Sequence, residues 1–365
     1  MRGPGSDAAP EVLPLRAPVG GTGSRVAIRG TPKASRRDRA ANLIARAHLR
    51  PLIEGVARWH GVLVLTYHRV GDADGQPWDR GLWSASVAEL DGQLAAAARC
   101  ADVIAPDEFT EVMRSGRGRH LLITFDDGYR DNYEIAFPLL RRHGLKAIFF
   151  LTTGFLDRPH IGWWDEIAWM VRGAPGDSIP GDRPGDPPLS LLDREAAIAE
   201  IVRRYKSLPA PDAERLLEWL GQATGRGRCA ASEAEGMWMT WDMAREMHAA
   251  GMGIGGHTVS HPLLSRITPE QQREEITGCA RRLREEVGIE MGMFAYPVGS
   301  PDAFDDATRE ILGECGVQSA FSFYGGLARP ARWDPLDVPR NHVGRGYTPE
   351  LLEAATALPQ LFARP

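Results

Sequence analysis

The feature that most restricts the fold of this 365-residue chain is a rhythm that starts at Gly61: a short apolar run, a few polar residues at its end, then a stretch with helical spacing. Residues 62–65 run into Thr66-Tyr67-His68, 121–125 into Asp126-Asp127-Gly128, and 147–151 into Thr152-Thr153-Gly154. Residues 252–254 end at Gly255-Gly256-His257, 293–295 at Tyr296-Pro297, and a last strand is expected over 336–343. Helix-period segments fill the intervals at 85–99, 132–143, 242–250, 269–287 and 303–314. Continuous apolar strands need cover on both faces, so their alternation with helices predicts a parallel α/β sheet or barrel. In that architecture the polar residues at the C-terminal strand ends share one rim, where active sites are built.

The remainder of the chain departs from this rhythm in three places. Residues 1–37 are rich in Gly, Pro, Ser and Arg without apolar period and are expected to form a disordered basic arm. Residues 38–58 have the spacing of an amphipathic helix, with Leu43, Ile44, Ala47 and Leu49 beside four arginines. Such a helix either packs on the following domain or touches an anionic membrane peripherally. Residues 157–235 form an insertion that opens with Trp163-Trp164-Asp165, crosses a Pro/Gly-rich stretch at 173–188, and carries helical segments near 193–207 and 212–222. Leaving after a strand end, it belongs on the rim side. A barrel is thus expected over 59–348, with a C-terminal helix or tail at 349–365.

Charge is distributed unevenly. Residues 1–58 hold 11 Lys+Arg against 4 Asp+Glu, whereas the whole chain carries 43 against 48, a net −5. No overall nucleic-acid signature exists. Ser35-Arg36-Arg37 has the look of a twin-arginine export signal, but Asp38, Arg39, Arg46 and Arg50 break the apolar core such a signal needs. No apolar run approaches the ~20 residues of a membrane span. A cytoplasmic location, with membrane association through 38–58 as an option, is the expectation. Cys100, Cys229, Cys279 and Cys315 lie far apart, which argues against a thiol-rich zinc site.

The strand ends carry the residue types of a metal-assisted hydrolase. Asp126 and Asp127 are adjacent carboxylates: one is naturally drawn to a cation, while the other is left as a base. His257 and His261 are four apart past another strand end, so both imidazoles can reach one ion. Two histidines and a carboxylate suit Zn²⁺ first, and Co²⁺, Ni²⁺, Mn²⁺ or Fe²⁺ as well, with positions left open for water and substrate. Taken alone, an Asp-Asp-Gly is more often a turn, and a His pair more often surface or core. Their joint occurrence after two strands of one parallel sheet favours a metal site. His68 ends the first strand and faces the same rim, where it binds substrate, assists the metal or fixes the strand end. Tyr67 and Tyr296 fit packing. Trp163 and Trp164 either stack on a sugar or anchor the insertion, with anchoring expected, and Trp238 and Trp241 lead into a helix whose N-cap is expected at Asp242.

Leu-Leu-Ile-Thr-Phe-Asp-Asp-Gly-Tyr (121–129), Gly-Gly-His-Thr-Val-Ser-His-Pro (255–262) and Phe-Ala-Tyr-Pro-Val-Gly (294–299) resemble three motifs of the polysaccharide deacetylases, carbohydrate esterase family 4, also called the NodB-homology domain. Thr-Tyr-His-Arg-Val (66–70) resembles the opening strand of one branch of that family. The resemblance covers about 61–345, apart from the insertion. It implies a distorted (β/α) barrel and metal-dependent removal of an acyl group from an N-acylated sugar. By position it makes Asp126 the general base and Asp127, His257 and His261 the ligands of one divalent ion. It also implies an oxyanion site near Tyr296, Pro297 and a backbone N–H at Val298. Two departures stand out. The family's base-orienting Arg and an aromatic residue fall at Ala295 and Val298, so the partner of the base is missing or comes from Arg340. The family's late catalytic His has no clean copy, and His342, the one histidine after His261, is the candidate acid by elimination.

The leading expectation is therefore an N-deacetylase acting on a carbohydrate or glycoconjugate. A deformylase or amidase for a lipid- or nucleotide-linked sugar, or for another small amide, is the second reading, and a catalytically silent glycan-binding module the third. The intact Asp126, Asp127, His257 and His261 argue against silence, since a pure binder needs no such ligand set.

Overall fold

The computed structural model describes residues 39–41, 43, 52–53, 59–183 and 185–363. The expected arm at 1–37 lies outside the described residues, as does most of the expected helix at 38–58. Of that segment residues 39–41, 43 and 52–53 are helical, and Ala41 is buried in the main core.

Eight strands build one sheet: β1 Gly61–Tyr67, β2 Asp102–Val103, β3 Arg119–Phe125, β4 Ile148–Leu151, β5 Gly253–Gly256, β6 Met293–Ala295, β7 Ser319–Phe321 and β8 Asn341–His342. Their order is β7-β6-β5-β4-β3-β1-β8, with β2 beside β3, and every pairing is parallel. The sheet curls until its outer strands approach: Phe321 bridges to Val338, just before β8, and the Val338 N–H donates to the Ala320 carbonyl at 2.9 Å.

Alternation along the strands makes two cores. Val62, Val64, Leu122, Ile148 and Phe150 point inward and pack with Ala295, Phe321 and Val338. Leu63, Leu65, Leu121, Ile123, Phe149 and Leu151 point outward beneath the helices. Those helices include α1 Val87–Cys100, α5 Trp241–Ala249, α6 Pro269–Val287, α7 Asp306–Glu314 and α8 Pro349–Ala357. The start of α6 was written locally: Thr268 and Gln271 form a capping box, Pro269 takes the first helical position, and Gly288 ends the helix at φ 77°. Helix α8 is part of the barrel's cover, not a tail, since Leu351, Leu352, Ala354 and Ala355 join Leu90 and Leu94 of α1 in the outer core.

The insertion contains three helices, α2 Trp163–Gly173, α3 Arg194–Ser207 and α4 Ala210–Ala223, and a short antiparallel pair at Ser178–Ile179 and Leu189–Ser190. Ile167, Val171, Ile198, Ile201, Leu216 and Leu220 give it a core of its own. Helix α2 was not expected, because its Trp-rich start leaves no clean apolar stripe to read. Trp164 joins Trp78, Trp83, Tyr129, Phe155 and Trp238 in a cluster between insertion and barrel, the anchoring outcome for that residue. One boundary needs correction: Thr240, not Asp242, caps α5, accepting from the Met243 N–H at 3.3 Å, and Asp242 falls inside the first turn. All four cysteines are free thiols.

Candidate metal centre and active site

Parallel pairing places the strand ends level. Tyr67 is in register with Phe125, Phe125 with Phe149, Leu151 with Gly256, and Phe294 with Gly256. The residues just beyond these ends are tied to the neighbouring strand: Asp126 N–H to the Tyr67 carbonyl, His257 N–H to Leu151 and Tyr296 N–H to Phe321, at 3.0, 3.0 and 3.1 Å. Gly255 and Gly256 are required by close approach, since a Cβ on Gly256 would lie 2.3 Å from the Met291 sulfur and one on Gly255 2.6 Å from the Phe150 ring.

Asp127, His257 and His261 converge, each buried. The Nε2 atoms of both histidines stand 3.4 Å from Asp127 Oδ1. That is long for a charge-assisted hydrogen bond. It matches the spacing of about 3.4 Å that two ligands at ~2.1 Å from one ion have in tetrahedral geometry. Asp127 Oδ1 is buried and has no hydrogen-bond partner among the described residues, an orphan acceptor that a cation would satisfy. His257 Nδ1 lies 2.7 Å from the Ala295 carbonyl, so it carries the proton and its Nε2 lone pair faces the cluster. Glu275 of α6 braces the loop between the two histidines, accepting from the N–H groups of Val259 and Ser260 at 2.8 Å each. The donor set fits one divalent transition ion.

Backbone strain is confined to this place. Among the described residues four non-glycine residues have positive φ: Asp127 (74°), Thr258 (66°), His261 (61°) and Val298 (66°). For a β-branched valine this is costly, and such strain marks sites where surrounding structure dictates the backbone.

Asp126 continues the inward parity of Leu122 and Thr124, and Arg340 that of Val338. They meet inside the barrel. Arg340, wholly buried, donates to both carboxylate oxygens at 2.7 and 2.8 Å, while its Nε donates to the Ser322 carbonyl at 3.0 Å. Burial pushes the Asp126 carboxyl up, but Arg340, His257 and His68 outweigh it and hold it below the usual carboxylate range. Burial likewise opposes ionisation of Asp127, and the two imidazoles bring it down to about 2. Burial, helped by His257 and opposed by Asp127, lowers His261 to about 3. Anionic Asp127 and neutral His261 are the forms that bind metal.

A stability prediction follows for the metal-free protein. Unfolded His261 takes its proton near pH 6.5, whereas the folded residue resists it until about pH 3. The unfolded state therefore binds more protons in that window, and stability falls as pH falls through it. Between pH 7 and 5 the loss from this residue is on the order of 2 kcal/mol. Urea unfolding at both pH values should show that difference shrinking in His261→Asn; an undiminished difference contradicts the assignment.

The cleft above the cluster has a cavity volume of about 130 Å³. His68, Asp126, Asp127, His257, His261, Tyr296, Val298, Arg340 and His342 all line it. Pro297 is buried and does not. Tyr296 serves as wall, its hydroxyl donating to the Leu336 carbonyl at 2.7 Å and its ring stacked on Phe304. Tyr67 is packing, stacked on Phe125. His68 is lowered by burial, and its Nδ1 has no hydrogen-bond partner among the described residues. His342 stands at the mouth, its ring 6.3 Å from that of His68 and 5.6 Å from Phe323. Trp164 sets its ring 4.4 Å from the His261 ring. Asp79, Val202 and Lys206 are among the further wall residues that were not foreseen. They come from a loop and from the insertion, whose return onto the cleft leaves no local sequence mark.

The sequence pattern of the polysaccharide deacetylase family matches residues 114–175 and 214–320, interrupted where the insertion lies. The protein YxkH of Bacillus subtilis (strain 168), whose name proposes a polysaccharide deacetylase, is 48% identical over 208 residues, 57% of this chain and 46% of YxkH. The chain thus spans under half the length of that curated relative. Among solved structures, the Streptococcus pyogenes deacetylase PplD in complex with acetate aligns at 17% identity and TM-score 0.52 over 80% of this chain and 95% of that one. IcaB from Ammonifex degensii aligns at 21% identity and TM-score 0.52 over 82% and 98%. At these identities the likeness concerns the fold, a (β/α) barrel of the same type.

Proposed function

The chain belongs to the polysaccharide deacetylase family, and from that premise we propose that it is a metal-dependent hydrolase removing an N-acyl group, acetate in the first place, from an amino-sugar-containing substrate. The observation that carries this reading is the convergence of Asp127, His257 and His261 beside a carboxylate, Asp126, that an arginine keeps ionised. The three would hold one divalent ion, with zinc favoured by a two-nitrogen, one-oxygen set. When bound, such an ion supplies Lewis acidity toward an amide carbonyl and acidity to water.

The chain's own groups divide the remaining work. Asp126 takes a proton from the attacking water, and Arg340 fixes the plane of its carboxylate, so the base is oriented before substrate arrives. Val298 lines the cleft, and its N–H has no acceptor among the described residues, which suits it to donate to the oxyanion that develops at the acyl carbon. His342, lowered to about 4 by burial and by His68 beside it, is neutral at rest, and from the mouth it relays to the departing amine the proton that Asp126 has taken from water. The proton lost by water and the one gained by the amine balance.

Val202 and Lys206 bring the insertion onto the cleft, which supports a short or terminal sugar unit as substrate. Replacing residues 174–222 by a Gly/Ser linker should extend activity to longer oligosaccharides and raise KM for short ones. If the metal-loaded deletion keeps its substrate range and KM, the insertion is a buttress. The reading itself is tested by following acetate and formate release from N-acetylated and N-formylated mono- and disaccharides. Acetate release that needs added zinc supports it, formate release alone moves the assignment to a deformylase, and no release with zinc bound overturns it.

A further inference from the structure

The outer wall of the cleft holds two opposite charges that do not close on each other. Asp79 comes from the loop before Arg80–Leu82, and Lys206 from the last turn of α3. Both are half-buried and line the same cleft as Asp127 and the two histidines. Among the described residues the Lys206 ammonium has no hydrogen-bond acceptor and no carboxylate at ion-pair distance. It stands 5.9 Å from the centre of the Trp163 ring and is drawn toward Asp79 only through space. Asp79 uses one carboxylate oxygen to accept from the Gly81 N–H at 2.9 Å and faces the charges of Arg172 and Lys206 through space, and among the described residues its other oxygen has no hydrogen-bond partner.

Nor is the arrangement loose. The Asp79 N–H donates to Asp165 at 2.8 Å, and Asp165, fully buried, is held by the Tyr129 hydroxyl at 3.0 Å. The loop is therefore tied at the residue that presents the carboxylate. Lys206 is carried by a helix whose neighbours Val202 and Tyr205 pack in the insertion, and Tyr205 stacks on Trp163 at 4.2 Å. Partly desolvated charges left unpaired cost free energy, and two held apart by separate rigid elements form a receptor for whatever fits between them. An anion there would satisfy Lys206 and be repelled by Asp79; a cation would do the reverse. A hydroxyl satisfies both, accepting from the ammonium and donating to the carboxylate. Each such charge-assisted bond is about twice as strong as a neutral one.

We propose that Asp79 and Lys206, against the Trp163 wall, form a hydroxyl-binding subsite for an uncharged sugar ring joined to the N-acylated one. This rests on the deacetylase reading for the reacting ring and adds that the substrate is at least a disaccharide, neutral at its second unit.

Calorimetric binding to zinc-loaded protein carrying Asp126→Asn, which arrests turnover, tests the subsite without reference to catalysis. The probes are N-acetylglucosamine, N,N′-diacetylchitobiose, and a disaccharide in which a uronate replaces the second ring. Adding Lys206→Met or Asp79→Asn should each weaken diacetylchitobiose about tenfold or more. The two together should be little worse than either alone, because one hydroxyl bridge is lost in each case. N-acetylglucosamine should move less than twofold. Lys206→Gln, which keeps a donor and loses the charge, should fall between, and zinc content equal to the parent's confirms folding. Diacetylchitobiose affinity within twofold of the parent in both variants overturns the subsite. So does tighter binding of the uronate probe that Lys206→Met abolishes, which would make the site anionic. Acetate release by the unmutated protein reports on the deacetylase reading separately: no acetate with the subsite effects intact removes the reaction and keeps the subsite.

Discussion

Asp126→Asn is expected to lower kcat/KM for acetate release by ~10²- to 10⁴-fold while the protein keeps one zinc per chain. The substitution preserves shape and removes both the basic oxygen and the charge that faces Arg340. Kinetics and elemental analysis on one preparation check it, and a loss under tenfold would take the base role away from Asp126. Arg340 offers the complementary experiment. Arg340→Met leaves a buried carboxylate without its counter-ion, which typically costs about 3–5 kcal/mol of stability. Without the guanidinium, burial governs Asp126 and its carboxyl rises, so the acid limb of the kcat/KM profile should move to higher pH. Arg340→Lys should restore charge without the two-point contact, and so recover stability better than rate. A merely structural arginine would move stability and leave the pH profile in place.

The second large effect separates the adjacent carboxylates. Asp127→Asn and His257→Ala should each weaken zinc binding by more than the ~10–100-fold that follows loss of an outer-shell partner, because each removes a ligand atom. Asp127 is a favourable place for this test. Its φ of 74° lies in the left-handed region, which asparagine tolerates unusually well, so the variant changes charge without adding backbone strain. His257→Ala should leave the fold intact, since the β5 ladder is made by backbone groups and the Leu151 carbonyl keeps its bond to the residue 257 N–H. Equal zinc occupancy in Asp126→Asn and Asp127→Asn would dissolve the division of labour.

The barrel was legible because its central strands are short, largely apolar and followed by polar residues, a pattern that a doubly covered parallel sheet accommodates, whereas Asp102–Val103 and Asn341–His342 carry no such apolar run. The helices expected at 85–99, 242–250 and 269–287 begin and end within about two residues of the structure's; the one at 303–314 starts at Asp306 because Asp305 caps it, and the one at 132–143 is a π-helix at Asn132–Ala136 that continues as an α-helix at Phe137–Arg142. The metal cluster was legible through two motifs, each local in sequence. Arg340 was named only as an option, since its meeting with Asp126 depends on strands that are neighbours of neighbours: β8 lies beside β1, and β1 beside β3. Helix α2 was missed because its apolar residues serve two cores at once, Ile167 and Val171 the insertion and Trp164 the barrel contact. Asp165, which the sequence marks only as part of the opening of the insertion, is fully buried beneath Tyr129 and the loop of Asp79. Asp79 and Lys206 share a wall through an insertion that folds back over the rim, and nothing in either neighbourhood records that return.

The most direct measurement of the central claim is acetate release by the same sample before zinc removal, after chelation, and after stepwise return of zinc, with bound metal quantified at each step. Activity on N,N′-diacetylchitobiose should disappear with the metal and return in proportion to it, reaching its plateau at one equivalent per chain, and His261→Asn should show neither binding nor recovery. Full activity in the metal-free sample, or recovery that continues unchanged in His261→Asn, would contradict it.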